Sequence, residues 1–98
     1  MNDFGISDKL LNKMQESIKG NKNVRNAVIF GSRAKGNYKK YSDIDIALFG
    51  DIDEFIAEKI RDELDELDSP YEFDVLAYDC ITNESLQQHI DRCGKFLL

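Results

Sequence analysis

Two carboxylates stand one residue apart near the middle of this chain, and a turn of small residues precedes them. The acids are Asp43 and Asp45, at the start of an apolar run with alternating side chains. On a β-strand, residues two apart project to the same face, about 6.6 Å apart along the chain. Two such carboxylates can hold divalent metal for in-line phosphoryl displacement, and oxygen ligands favour Mg²⁺. The pair therefore indicates chemistry on a phosphorylated substrate.

The turn before the acids, residues 31–36, has features of a phosphate-binding turn. Gly31 lacks the Cβ that would keep a phosphate away from the backbone, and the helical turn after it offers N–H groups. Ser32 adds a hydroxyl donor, and Arg33 and Lys35 add positive charge. The turn and the acid pair together predict a site for a nucleoside triphosphate.

The glycine spacing in this turn is also that of a Walker A loop. Four residues separate Gly31 from Gly36, as that motif requires. However, Asn37 and Tyr38 stand where a Walker A loop needs Lys followed by Ser or Thr. The sequence therefore argues against a P-loop ATPase.

A third acid, Asp74, lies within the apolar run of residues 71–76. An acid inside a strand is costly unless it is paired, coordinated or solvated. Asp74 could complete the metal site or act as a general base on an attacking hydroxyl. The alternative is a solvent-facing strand position, because Glu72 would share its face.

The length of 98 residues predicts one domain, residues 1–98, and hydrophobic periodicity predicts that it is of the α+β (two-layer α/β) class. The predicted elements are a helix over 7–19, a strand over 24–30, a short helical turn over 32–36, a strand over 44–48, a helix over 52–67, a strand over 71–77 and a last helix with the stripe Leu86, Ile90, Cys93 and Leu97. The predicted helix N-caps are Ser7, Asp51, and either Thr82 or Asn83. We expect a small mixed sheet of about three strands covered by helices.

The loop between the first two strands favours an antiparallel pair. It has about thirteen residues and contains only a short helical turn, whereas a parallel crossover normally needs a packed helix. Antiparallel pairing places the end of the first strand beside the start of the second. We therefore expect Gly31 and Ser32 to meet Asp43 and Asp45 at one rim of the sheet.

The charge distribution indicates which class of ligand the chain binds. The net charge of −6 argues against a general nucleic-acid binder, which normally has a basic face. Residues 31–42 carry four basic residues and no acid, whereas residues 43–74 carry thirteen acids. This polarity suits a small anion bridged to carboxylates by metal. No apolar run approaches the ~18 residues of a membrane helix, and the N-terminus lacks signal-peptide features, so we expect a cytoplasmic protein.

The cysteines and the histidine add no recognisable site. Cys80 and Cys93 match no zinc or redox spacing and are expected to be reduced, partly buried thiols. His89, the sole histidine, falls in the last predicted helix. We expect it at a surface or interface, without a catalytic role.

Residues 31–36 together with residues 42–48 resemble the signature of the DNA polymerase beta-like nucleotidyltransferase superfamily, in particular its minimal nucleotidyltransferase (MNT) group. The resemblance runs from the first strand to the third and includes the element order. It implies the nucleotidyltransferase fold. Lys35 stands where many relatives have Arg, which keeps the charge but loses the fork geometry of a guanidinium.

The resemblance implies a role for each matching residue. The turn would bind the triphosphate, and the acids would bind two Mg²⁺ ions, with Asp74 as the third member of the triad. The implied reaction transfers a nucleoside monophosphate, AMP from ATP or another NTP, to an acceptor hydroxyl and releases pyrophosphate. The residues implied are Gly31, Ser32, Arg33 and Lys35 for the nucleotide, and Asp43, Asp45 and Asp74 for metal and catalysis.

The resemblance also implies a partner. MNT proteins are commonly paired with a HEPN-domain RNase toxin, which the MNT antitoxin adenylylates on tyrosine. The short chain leaves little acceptor site of its own, and its acidic surface and the apolar segment 96–98 could meet a partner in a hetero- or homo-oligomer. Two alternatives stay open: an antitoxin that neutralises its partner by binding alone, and a transferase acting on a small molecule such as an aminoglycoside.

Overall fold

The computed structural model describes residues 4–98, and its elements follow the predicted order. The helices are α1 (Asp8–Lys19), α2 (Ser32–Lys35), α3 (Glu54–Asp65) and α4 (Glu84–Cys93), and the strands are β1 (Val24–Phe30), β2 (Ile44–Gly50), β3 (Phe73–Ala77) and β4 (Lys95–Phe96). A single 3₁₀ turn, Tyr78–Cys80, links β3 to α4. Within residues 4–98, no helix is long and apolar enough to cross a membrane.

Side-chain caps begin the three longer helices. The Ser7 hydroxyl and the Asn83 carboxamide oxygen each accept a backbone N–H at 3.2 Å, as predicted for α1 and α4. The predicted cap of α3, Asp51, is wrong. Ile52 closes a tight turn onto the Gly50 carbonyl, so the helix begins two residues later, where Asp53 accepts a backbone N–H at 2.8 Å.

The sheet is mixed and has the strand order β3-β2-β1-β4. Strand β1 pairs antiparallel with β2, which confirms the prediction from the loop length, and β2 pairs parallel with β3. Strand β3 begins at Phe73 and not at Tyr71, because the Tyr71 N–H donates to the Ser69 hydroxyl in the preceding turn.

A fourth strand replaces the predicted end of the last helix. Helix α4 stops at Cys93 because Gly94 adopts an extended conformation, and Leu97 therefore lies outside the helix. The next two residues form β4, which pairs antiparallel with β1. Leu97 is buried, whereas Phe96 is 71% exposed and Leu98 37% exposed, so part of the apolar C-terminal segment is on the surface as expected.

The two faces of the sheet have separate apolar clusters. The larger cluster packs α1 and α3 against one face, and its strand members include Ile29, Ile46 and Val75. The smaller cluster joins α4 to the other face through Ile90, Val28, Phe30 and Ala47. Strand alternation places Asp45 and Asp74 on this second face, beside the area that α4 covers.

Candidate active site

The three acids predicted from the sequence lie together at one rim of the sheet. Asp45 and Asp74 are register partners in the parallel pair β2–β3, on strands that are typically about 4.8 Å apart. Asp43 immediately precedes β2 and is exposed, as is Asp74, whereas Asp45 is half-buried. Among the described residues, no three acidic, histidine or cysteine side chains already converge as a closed set of metal ligands. The triad is therefore an open cluster of carboxylates.

The three acids repel one another. Partial burial, followed by the charges of Asp74 and Asp43, together raise the pKa of Asp45 from 3.8 to about 6. A cation at this rim would reverse both electrostatic effects. Hard carboxylate oxygens with an unbalanced negative charge are the donor set that Mg²⁺ prefers, so the residues present fit this metal.

The raised pKa predicts that Asp45→Asn stabilises the fold at neutral pH. The folded state binds this proton more tightly than the unfolded state, so stability from this group is present below about pH 4 and lost as pH rises through about 6. The full shift corresponds to about 3 kcal/mol, which solvent screening of a half-exposed group reduces to about 1–2 kcal/mol. Urea denaturation in EDTA should therefore show the variant more stable than wild type at pH 8 and equal to it near pH 3.5.

A matched control for this measurement is Asp51→Asn, which removes one exposed carboxylate away from the rim. It should change stability by less than about 0.5 kcal/mol at either pH. Addition of Mg²⁺ at pH 8 should stabilise wild type more than Asp45→Asn. Loss of stability in Asp45→Asn at pH 8 would show that the carboxylate makes a favourable contact in the folded state.

Gly31 is the residue of the turn that lies against the acid cluster. Its φ of 73° lies in the left-handed region, and a Cβ built at this position would overlap the Asp45 carboxylate oxygen. Glycine is therefore required here both for the backbone conformation and for the close approach of Asp45. The turn and the acid pair therefore meet at one rim of the sheet, as the loop length predicted.

Helix α2 carries the other residues predicted to bind nucleotide. Ser32 begins this single turn directly after Gly31, and Gly36 ends it in the left-handed conformation with φ 84°. Lys35 is exposed on the turn, so its ammonium group is accessible to a phosphate group that binds from solution. These positions keep Ser32 and Lys35 on the rim that holds the acids.

Arg33 has a different place from the one predicted. Its side chain is 1% exposed, and its guanidinium donates to the carbonyl oxygen of Ser42 at 2.9 and 3.1 Å and to that of Phe4 at 2.8 Å. It also lies 4.9 Å from the ring centre of Tyr38 and 4.5 Å from that of Tyr71. The guanidinium thus contacts the N-terminal segment, the loop before β2 and the segment before β3. It is buried among these segments and does not face the predicted phosphate site.

His89 is the site residue that sequence reasoning missed. It was expected at a surface or interface, but its ring is half-buried and Nε2 accepts a hydrogen bond from the Gly31 N–H at 3.0 Å. Its ring also meets that of Phe30 edge-on, with centroids 6.1 Å apart. Fifty-eight residues separate the two partners, so no local pattern could have identified the contact.

A groove of about 450 Å³ lies beside Asp74. It runs along β3, an edge strand of the sheet, between α3 and the start of α4. Its apolar lining includes Leu76, Ala77, Ile81 and Leu86. The third acid therefore stands at one end of a mostly apolar groove that is large enough for a side chain of an acceptor molecule.

Comparison with known proteins identifies the family of this chain. The family described as "Polymerase beta, Nucleotidyltransferase" matches residues 12–98. A curated relative from Haemophilus influenzae, named probable protein adenylyltransferase MntA, is 35% identical over 63 residues, which cover 62% of this chain and 54% of the relative. The chain thus spans about half the length of this relative.

Solved structures of toxin–antitoxin complexes share the fold. One, described as a toxin–antitoxin with AMP-PNP, matches 90% of this chain and 72% of its own with 25% identity and a TM-score of 0.71. A complex of tri-AMPylated Shewanella oneidensis HEPN toxin with MNT antitoxin matches 95% of this chain and 72% of its own with 21% identity and a TM-score of 0.68. With the family match extending from α1 to the C-terminus, the chain belongs to the polymerase beta nucleotidyltransferase family.

Proposed function

We propose that this chain is an Mg²⁺-dependent protein adenylyltransferase that transfers AMP from ATP to a hydroxyl of a HEPN-type toxin and thereby acts as its antitoxin. The observation that carries the proposal is the contact between Gly31 and Asp45, which makes the turn and the acid cluster a single site. The name of the Haemophilus relative and the AMPylated toxin in the Shewanella complex supply the substrate class and the partner.

The acids would hold Mg²⁺, whose chemistry there is to lower the pKa of the acceptor hydroxyl and to neutralise charge on the leaving pyrophosphate. Asp43 and Asp45 are the primary ligands in this proposal. Asp74, at the edge of the cluster and the end of the groove, would orient the acceptor hydroxyl and take its proton. The acceptor oxygen forms a bond to the α-phosphorus as the bond to pyrophosphate breaks.

The turn would hold the two phosphates that leave. Ser32 would donate its hydroxyl and backbone N–H to their oxygens, and Lys35 would add positive charge from the exposed side of α2. Arg33, because it is buried and bonded to carbonyl oxygens, would support the turn and not the phosphates.

Three surface features support a protein acceptor. The groove beside Asp74 is lined mainly by apolar side chains and lies along an edge strand, the usual place for a peptide segment to dock. The exposed Phe96 and the acidic outer surface of α3 offer further contact area for a basic partner. Each feature is consistent with a hydroxyl delivered by another protein.

The proposal predicts label transfer from the α-phosphate and not from the γ-phosphate. The purified chain should transfer label from [α-³²P]ATP to a HEPN-type protein encoded beside it, with Mg²⁺ present, and EDTA should abolish the transfer. Label from [γ-³²P]ATP should leave with pyrophosphate. Transfer of the γ-label would identify a kinase. No transfer, with toxicity still suppressed by the chain, would favour an antitoxin that acts by binding alone.

A further inference from the structure

The side chain of His89 connects helix α4 with the phosphate turn, residues 31–36. The helix packs on the same sheet face as Asp45 and Asp74, and His89 extends from it to the end of β1. There the imidazole Nε2 accepts the Gly31 N–H at 3.0 Å, with the ring edge-on to Phe30 at an interplanar angle of 76°. The imidazole therefore contacts the residue at which the strand turns into α2.

This hydrogen bond determines the form of the imidazole. Nε2 can accept only when it carries no proton, so the ring is neutral with its proton on Nδ1. The bond also occupies the one donor of Gly31. Since Asp45 abuts the same glycine at its α-carbon, Gly31 is fixed from two sides, by His89 and by the acid cluster.

We propose that His89 is a positioning residue for the phosphate turn. His89 accepts the Gly31 N–H and thereby sets the direction in which the chain leaves β1 and holds the turn beside Asp45. Because the Gly31 N–H is occupied, the phosphate contacts are made by Ser32. This inference rests on the proposed function, in which the turn binds the nucleotide phosphates. It gives α4 an indirect part in nucleotide binding, through the Gly31 backbone.

The test compares two substitutions that both remove the imidazole. His89→Leu removes the acceptor, whereas His89→Gln keeps an acceptor oxygen at a similar reach from the backbone. We expect His89→Leu to weaken binding of AMP-PNP with Mg²⁺ by about tenfold, the usual effect of one hydrogen bond. His89→Gln should stay within about threefold of wild type. Both variants lose the Phe30 ring contact, and His89→Leu also loses the hydrogen bond, so thermal unfolding serves to show that both variants are folded at the assay temperature.

Four results of the binding measurement are decisive. Recovery of affinity in His89→Gln supports the inference. Equal affinities in wild type and folded His89→Leu, or equal losses in the two variants, overturn it. A wild-type chain that binds no AMP-PNP overturns the proposed function, and the inference with it.

NMR of the imidazole nitrogens gives a second readout that does not depend on nucleotide. At pH 8 the ¹⁵N shifts should show the proton on Nδ1, and the Gly31 amide signal should move more in His89→Leu than in His89→Gln. A proton on Nε2 would overturn the inference whether or not the chain binds nucleotide.

Discussion

Replacing Asp43 and Asp45 together by asparagine is expected to lower AMP transfer at least ~1000-fold, which corresponds to about 4 kcal/mol of transition-state stabilisation. Asparagine keeps the shape of each side chain but removes the charge that holds the metal. Asp43 immediately precedes β2, Asp45 is its second residue, and Asp45 contacts Gly31 of the turn, so the substitution affects the centre of the proposed site. The measurement is the initial rate of label transfer from [α-³²P]ATP to the partner.

The loss should not come from unfolding. Partial burial, and then the charges of Asp74 and Asp43, raise the pKa of Asp45, so removal of charge from this cluster is expected to stabilise the fold at neutral pH. Asp51→Asn with Asp68→Asn is a matched control because it removes the same charge from two exposed positions. The control pair should transfer label within about twofold of wild type. Similar losses in both pairs would point to a general effect of charge on partner binding.

Replacing Arg33 by methionine is expected to lower the free energy of unfolding by about 3–5 kcal/mol, with a fall in Tm of roughly 15–30 °C. The guanidinium is 1% exposed and donates to the carbonyl oxygens of Ser42 and Phe4. Its loss leaves two carbonyl oxygens without these donors and removes the cation from between the rings of Tyr38 and Tyr71. Arg33→Lys should recover part of the loss, because an ammonium keeps the charge but not the fork.

Lys35→Met is the matched control for Arg33. It makes the same kind of change two residues along, at an exposed position on the same turn. We expect it to change stability by less than about 0.5 kcal/mol and to raise the KM for ATP about fivefold if Lys35 contacts the phosphates. The reverse pattern, a stable Arg33→Met with a raised KM, would assign Arg33 to the nucleotide as the sequence predicted.

The sequence predicted the acid rim because its signals are local. Alternation of side chains placed Asp45 on one face of a strand, and the short loop favoured antiparallel pairing of β1 and β2. The parallel pairing that sets Asp74 opposite Asp45 was not predicted and is seen only in the structure. The structure brings the three acids together, while their roles in metal binding and catalysis stay predictions for the substitutions above.

What the sequence missed depends on contacts between distant residues. An arginine in a glycine-rich turn has the same local sequence pattern whether its side chain faces phosphate or the protein interior. Only the contacts with Tyr71 and Phe4 reveal that Arg33 is buried. Likewise, nothing around His89 indicates a bond to Gly31. Strand β4 has two residues, which is too short a segment to show the alternation typical of a strand. It forms because the edge of β1 is available for pairing.

The proposed function requires the Gly31 turn and the acid cluster to act together in transferring AMP to a protein hydroxyl. The intact mass of the proposed HEPN-type partner, measured after incubation with ATP, Mg²⁺ and this chain, tests this requirement. We predict a mass increase of one or more AMP groups with wild type and none with the Asp43→Asn, Asp45→Asn chain. An unmodified partner in the wild-type reaction, or an equal mass increase with the double variant, would contradict the account.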